Sequence, residues 1–216
     1  MDHRTHHTLA ESALLALLRL DDHEEREAAV RMLSVWGQEA LAEERYERAV
    51  ACFEALVAFG SEHEGPTAPT TMVWRGFLGR ALTEARRCAE AEDVLGDLLV
   101  DRERVLGPNH ELTLVTRGNL ARSIALGGRP EEGILLARRL LDDRLQLLGA
   151  DHPSTLDSRG HIAQFTLVAG RAAEAAAMYE ALLADRIRVL DADNPAIEQT
   201  QHNLDVARRR AFGDGH

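Results

Sequence analysis

Residues Leu148–Ala163 read LGADHPSTLDSRGHIA, and forty-two positions earlier residues Leu106–Ala121 read LGPNHELTLVTRGNLA. The same phase is kept elsewhere. Arg45, Arg87, Arg129 and Arg171 stand 42 apart, as do the pairs Arg75-Gly76, Arg117-Gly118 and Arg159-Gly160. Asp101-Arg102, Asp143-Arg144 and Asp185-Arg186 follow the same step, and so do Leu106, Leu148 and Leu190. A period this long and this strict marks a repeat architecture, in which one supersecondary unit is copied and stacked.

Each copy splits into two helical patterns. In TLVTRGNLARSIAL the apolar residues Leu114, Leu120, Ala121 and Ile124 recur at helical spacing. Gly127-Gly128 interrupts them, and Pro130 falls near the start of the next helix, where its missing N–H costs little. Ile134, Ala137, Leu140, Leu141, Leu145 and Leu148 make a second stripe, over about 20 residues or roughly 30 Å. Gly149 ends it, and Asp151-His152-Pro153-Ser154 turns into the next copy. One hairpin cannot bury its stripe alone, so the copies must stack.

The spacing predicts first (A) helices near 29–42, 70–84, 112–126 and 154–168, and second (B) helices near 45–60, 87–106, 129–148 and 171–190. A last helix, 196–211, starts like another A helix and is expected to cap the stack, with Arg208-Arg209-Arg210 favourable at its C-terminal dipole. Residues 8–20 are expected to form an N-terminal cap helix, and the tail FGDGH to fray. The expected organisation is therefore a cap in 1–28, four repeats in 29–194, and a C-terminal capping helix and tail in 195–216.

These residues resemble tetratricopeptide repeats of the 42-residue, kinesin-light-chain type. The signature L-G-x-D/N-H-P, T-L, R-x-N-L-A, G-R-x-x-E-A stands here as Leu148-Gly149-Ala150-Asp151-His152-Pro153, Thr155-Leu156, Arg159-Gly160-His161-Ile162-Ala163 and Gly170-Arg171-Ala172-Ala173-Glu174-Ala175. The resemblance is strong from about Met72 to Arg210 and weaker over 31–71, where SEHEGPTAPT replaces the usual turn. It implies an all-α, right-handed α-solenoid of stacked helix–turn–helix repeats with capping helices at both ends. It also implies a concave groove lined by the A helices, and a role in protein–protein interaction. Long arrays of this type are common in GC-rich bacteria. All 25 basic residues are arginine, as a GC-rich genome would give.

Composition limits the other classes. With 216 residues, 45% of them hydrophobic, the chain can bury a sizeable core. Nine aromatic residues amid abundant Ala, Leu, Arg and Glu favour helix over sheet. A net charge of −11 argues against nucleic acid. No apolar run approaches the roughly 18–20 residues that span a bilayer. The short apolar segment Ala13–Leu18 lacks a clean cleavage site, so no signal peptide is expected. Cys52 and Cys88 have no paired spacing and fall within helices, which suits two reduced thiols in the cytoplasm.

Catalytic and cofactor motifs do not emerge. There is no G-x-x-x-x-G-K-S/T phosphate loop. His3 and His7 have the i, i+4 spacing of metal ligands beside His6, but no acidic third ligand is fixed nearby, so no metal and no cofactor are expected. His110 and His152 belong to the repeated turn and are read as structural. By the resemblance, the groove residues are Phe77, Arg80, Asn119, Arg122, His161, Gln164, His202 and Asn203. Asparagine offers a donor and an acceptor to an extended peptide, and Arg80 and Arg122 could pair with a carboxylate. The column Gly76, Gly118, Gly160 allows either ligand room or close helix approach, and Arg75, Arg117 and Arg159 suggest salt bridges to Asp101, Asp143 and Asp185.

The reading that follows is a non-catalytic interaction or scaffold module binding a partner protein or peptide. Two alternatives stand beside it: a sensor subunit for a small molecule or signal peptide, and a helical-repeat enzyme using His161 or His202. Trp36 is read as core, and Trp74 as lying at the core's edge, within reach of the groove. Ile197, Leu204, Val206 and Phe212 are read as an apolar edge of the last helix that a second copy could cover.

Overall fold

The computed structural model describes residues 22–213, and the described residues form nine helices packed sequentially as stacked pairs. They are α1 (His23–Ala42), α2 (Tyr46–His63), α3 (Pro69–Glu84), α4 (Cys88–Leu106), α5 (Glu111–Leu126), α6 (Pro130–Leu148), α7 (Pro153–Val168), α8 (Ala172–Val189) and α9 (Pro195–Phe212). α1 begins six residues before its expected start, because Asp22 Oδ1 accepts the Glu25 N–H at 3.0 Å and caps it. The cap helix expected in 8–20 and the His3, His6 and His7 cluster lie outside the described residues.

The repeat is visible in its turns. Every A-to-B turn places one residue in the left-handed region: Glu44 (φ 58), Arg86 (φ 64), Gly128 (φ 98) and Gly170 (φ 82). The next N–H reaches back five residues each time, from Arg45 to Ala40 O, Arg87 to Leu82 O, Arg129 to Ile124 O and Arg171 to Thr166 O, at 2.8–3.2 Å. This is the Schellman closure of a helix C-terminus, which satisfies a carbonyl that has no partner within the helix. The recurring arginines therefore sit where each B helix begins. The B-to-A turns repeat as well: His110 Nδ1 accepts from Leu112 N and His152 Nδ1 from Ser154 N, both at 3.2 Å. Asn194 Oδ1 does the same for Ala196 N at 3.0 Å. Pro153 and Pro195 occupy the first helical turn just after these caps.

The chain divides into two compact units, Met1–Asn119 and Leu120–His216, with the division falling inside α5. In the first unit α1 packs on α2, α2 on α3, and α3 on α4. Its core holds Phe53, Leu56, Leu78, Leu95 and Leu98, all buried. Glycine lets the helices approach: a Cβ on Gly79 would lie 2.5 Å from Leu95 Cδ2, and one on Gly37 would lie 2.8 Å from Phe53 Cζ. Trp74 is buried at 4% exposure and Trp36 is 44% exposed, the reverse of the sequence expectation. Trp74 packs beneath Gly60, whose missing Cβ makes room for the indole.

In the second unit α6 packs on α7, α7 on α8, and α8 on α9. One cluster joins Leu156, Tyr179, Leu182 and Leu204, and another joins Ala121, Ile134, Ile162 and Phe165. Leu204 is 2% exposed, while Ile197 and Val206 are half-buried. The expected apolar edge of the last helix is thus largely turned into the preceding pair.

Candidate functional site

The last three repeats each carry a buried guanidinium, at positions where the first repeat has Gly60. Arg102, Arg144 and Arg186 leave the B helices and cross to the A helix that follows. Their Nη1 groups donate to the carbonyls of Leu112, Ser154 and Ala196 at 2.8–3.0 Å. The same Nη1 groups donate to Thr116 Oγ1, Ser158 Oγ and Thr200 Oγ1 at 2.6–2.7 Å. Each hydroxyl donates in turn to that same carbonyl, closing a small ring. Arg102 Nη2 also reaches Met72 O at 2.9 Å, and Arg186 Nη2 reaches Asp157 Oδ1 at 2.6 Å.

A buried charge needs such hydrogen bonds; here the Nη groups are supplied, while the buried Nε of Arg102 and of Arg186 has none. Burial, with Arg75 adding repulsion, lowers the Arg102 pKa from its ordinary value; a guanidinium stays charged in proteins. A Cβ on Gly76 would stand 3.4 Å from Arg102 Nη2, so this glycine leaves room for the arginine.

Outside the buried arginines lie further ion pairs, two of which share one sequence offset. Arg75 Nη1 donates to Asp101 Oδ2 at 2.6 Å and Arg159 Nη1 to Asp185 Oδ2 at 2.8 Å. Arg117 Nη2 donates to Glu103 Oε1 at 2.7 Å. The hydrogen bond from Arg75 holds Asp101 below the usual carboxylate range, and that from Arg159 does the same for Asp185.

The residues expected to line a groove are placed as follows. In the first unit Phe77 is half-buried and stacks on Phe53, with ring centroids 5.1 Å apart. Arg80 is exposed and Asn119 half-buried. In the second unit Arg122, His161, Gln164 and Asn203 line one recess of about 360 Å³, together with Asp157, Gly160, Tyr179, Gln199 and the buried Arg186–Thr200 pair. His202 is exposed on α9 and is not part of that lining.

His161 dominates the chemistry of the recess. Its ring lies parallel to Phe165 at 6.1 Å. Burial pushes its pKa down to about 4; Arg122, Arg144 and Arg186 push the same way, and Asp157 opposes them. The imidazole is therefore neutral at pH 7, with one nitrogen a donor and the other an acceptor.

Tyr179 is the residue that sequence reasoning missed here. It is 2% exposed and lines the recess, and its hydroxyl makes no hydrogen bond among the described residues. Burial raises its pKa to about 12. Its position in MYEALL, an apolar B-helix stretch, reads as core, and nothing in the sequence shows the hydroxyl end reaching a cavity.

A second and more apolar recess of about 440 Å³ lies among α6, α7 and α8, lined by Leu141, Ile162 and Met178 with Arg138, Asp142 and Arg159 at hand. Among the described residues no cluster of three or more His, Cys, Asp or Glu could hold a metal, and no helix is long and apolar enough to cross a membrane. Cys52 and Cys88 are both buried.

Comparison with known proteins agrees with this architecture. Residues 71–111, 113–154 and 155–196 match the family model described as Tetratricopeptide repeat. Among solved structures, a putative kinesin light chain from Podosopora anserina with nearly identical TPR-like repeats is similar at 22% identity. That match covers 84% of this chain and 86% of that one, with a TM-score of 0.65. BtubC (BKLC) from P. vanneervenii is similar at 16% identity over 97% of this chain and 84% of that one, with a TM-score of 0.66. No curated protein matches the chain.

Proposed function

The chain belongs to the tetratricopeptide repeat family, of the 42-residue kinesin-light-chain type, and from that premise we propose that it is a docking module for a segment of a partner protein. The family is generally one of protein–protein interaction and is typically non-catalytic. In this reading the A helices carry the docking face, through Phe77, Arg80 and Asn119 in the first unit and Arg122, His161, Gln164, His202 and Asn203 in the second. The working module comprises the four repeats of 29–194, flanked by the segments 1–28 and 195–216, and acts in the cytoplasm.

One observation carries the reading. Gln164 and His161 line the recess with polar groups that make no hydrogen bond among the described residues. Half-buried polar groups without a protein partner are available to one that arrives. Gln199 already donates to Asn203 Oδ1 at 3.2 Å, which leaves the Asn203 amide nitrogen to face a ligand.

The test is a peptide-display selection on the full chain, counter-screened with Arg122→Ala, Gln164→Ala and Asn203→Ala combined. The reading expects enriched peptides that lose binding to the triple variant. Peptides that bind the variant equally well would place the docking surface elsewhere.

A further inference from the structure

The recess of the second unit holds more than a docking face requires. Tyr179 is almost wholly buried, yet its hydroxyl has no hydrogen bond among the described residues, although it lines a cavity of about 360 Å³. The hydroxyl is the part of the side chain left open to the recess, where an arriving acceptor can take its hydrogen bond. His161 lines the same space, and its ring nitrogens are likewise without a hydrogen bond among the described residues.

The charges around them have one prevailing sign. Arg122 from α5, Arg144 from α6 and Arg186 from α8 act on His161, against the single carboxylate of Asp157 on α7. α9 contributes the neutral Gln199, Thr200 and Asn203 to the lining. A chain of net charge −11 thus surrounds the Tyr179 hydroxyl and the His161 ring with guanidinium groups.

We propose that this recess is a ligand site for an oxyanion, a carboxylate or phosphate group, which accepts hydrogen bonds from the Tyr179 hydroxyl and the His161 ring and takes Arg122 as counter-charge. The site shares its face with the docking reading above but does not rest on it. The oxyanion belongs either to a free small molecule or to an acidic side chain of a docked segment. Its negative charge opposes the three guanidinium groups that disfavour a second proton on His161. Binding therefore draws a proton onto that ring and is tighter in mild acid than at neutral pH, by linkage.

The test uses the full chain, with the His161 ring resonances identified by their loss in His161→Gln. Its titration is followed by NMR alone, with succinate, with inorganic phosphate, with a short glutamate peptide, and with sodium chloride at matched ionic strength. The expected result is a saturable rise of the His161 midpoint with at least one oxyanion and not with chloride. Saturation by succinate or phosphate assigns the site to a free small molecule. Saturation by the glutamate peptide alone assigns it to a partner's acidic segment. Tyr179→Phe keeps the fold, because its hydroxyl has no partner to lose, and weakens binding roughly tenfold. A His161 midpoint that no oxyanion moves, or that chloride moves equally, overturns the proposal. So does undiminished binding by Tyr179→Phe.

Discussion

The Arg144 guanidinium donates to the Ser158 hydroxyl at 2.7 Å, and the same bond recurs one repeat earlier from Arg102 to Thr116 and one repeat later from Arg186 to Thr200. The hydroxyl column thus carries Thr or Ser at positions 116, 158 and 200 because each must accept from a buried cation. Thr200→Val keeps the shape and removes the acceptor. It is expected to cost about 1–3 kcal/mol, the penalty for leaving a buried charged donor short of a partner. Urea unfolding of wild type and variant measures it. Arg186→Met should cost less than its 8% exposure alone suggests, since it removes the charge together with its desolvation.

Glycines in the second unit separate close packing from open space. A Cβ on Gly133 would meet Ala125 Cβ at 2.6 Å and the Ala121 carbonyl at 2.7 Å, and the backbone cannot yield cheaply. Gly133→Ala is expected to destabilise by about 1–3 kcal/mol. Gly160→Ala meets Leu182 Cδ2 at 3.4 Å, an ordinary contact. It should be neutral, or stabilising by up to about 1 kcal/mol through helix propensity. Thermal melts of the pair decide whether the glycine column is there for packing at this position.

The A-to-B turns offer a gain in stability. Arg86 is exposed and holds φ 64 where the later repeats use glycine. Arg86→Gly relieves the left-handed strain but loosens the unfolded chain, so the expected gain is modest, about 0.5–1 kcal/mol. A lowered denaturation midpoint would contradict it.

Stability should fall in mild acid through His161. Its folded value, about 4, lies below the ordinary 6.5, so between these limits the unfolded chain binds a proton that the folded chain does not. Folding stability therefore rises with pH across that window and is lost as pH falls through it. The contribution is at most about 3 kcal/mol. His161→Gln should flatten the pH dependence of the unfolding free energy between pH 6.5 and 4. Asp101, Asp151 and Asp185, whose values are lowered, lose their contribution as pH falls toward the bottom of this window and below it, so the His161→Gln difference is the readout.

The helices were legible because one period fixes all of them at once: each Gly-Gly or Gly-Arg break, and each His-Pro or Asn-Pro start, is read against its copies. The burial of Arg102, Arg144 and Arg186 was not. The sequence shows the Asp-Arg column, but adjacent helical residues point about 100° apart, and a charge is usually read as facing water. Here the aspartate stays outside and the arginine turns inward. Trp36 was misplaced because the register is weakest over the first repeat, where SEHEGPTAPT interrupts it, and Trp74 because the space for its indole is made by Gly60 on the preceding helix. Half of the candidate site, Arg122, His161, Gln164 and Asn203, converges on one recess. Phe77 could not be read from its column, because its ring has a partner in Phe53 on a different helix.

The central claim is that the A-helix face of the second unit meets a partner. Photo-crosslinking tests it most directly, with a benzophenone amino acid placed at Gln164 in the recess or at Leu135, which is 52% exposed on the B helix α6. A discrete crosslinked species is expected from position 164, competed by the selected peptide, and none from position 135. Equal crosslinking from both positions, or crosslinking from position 135 alone, would contradict it.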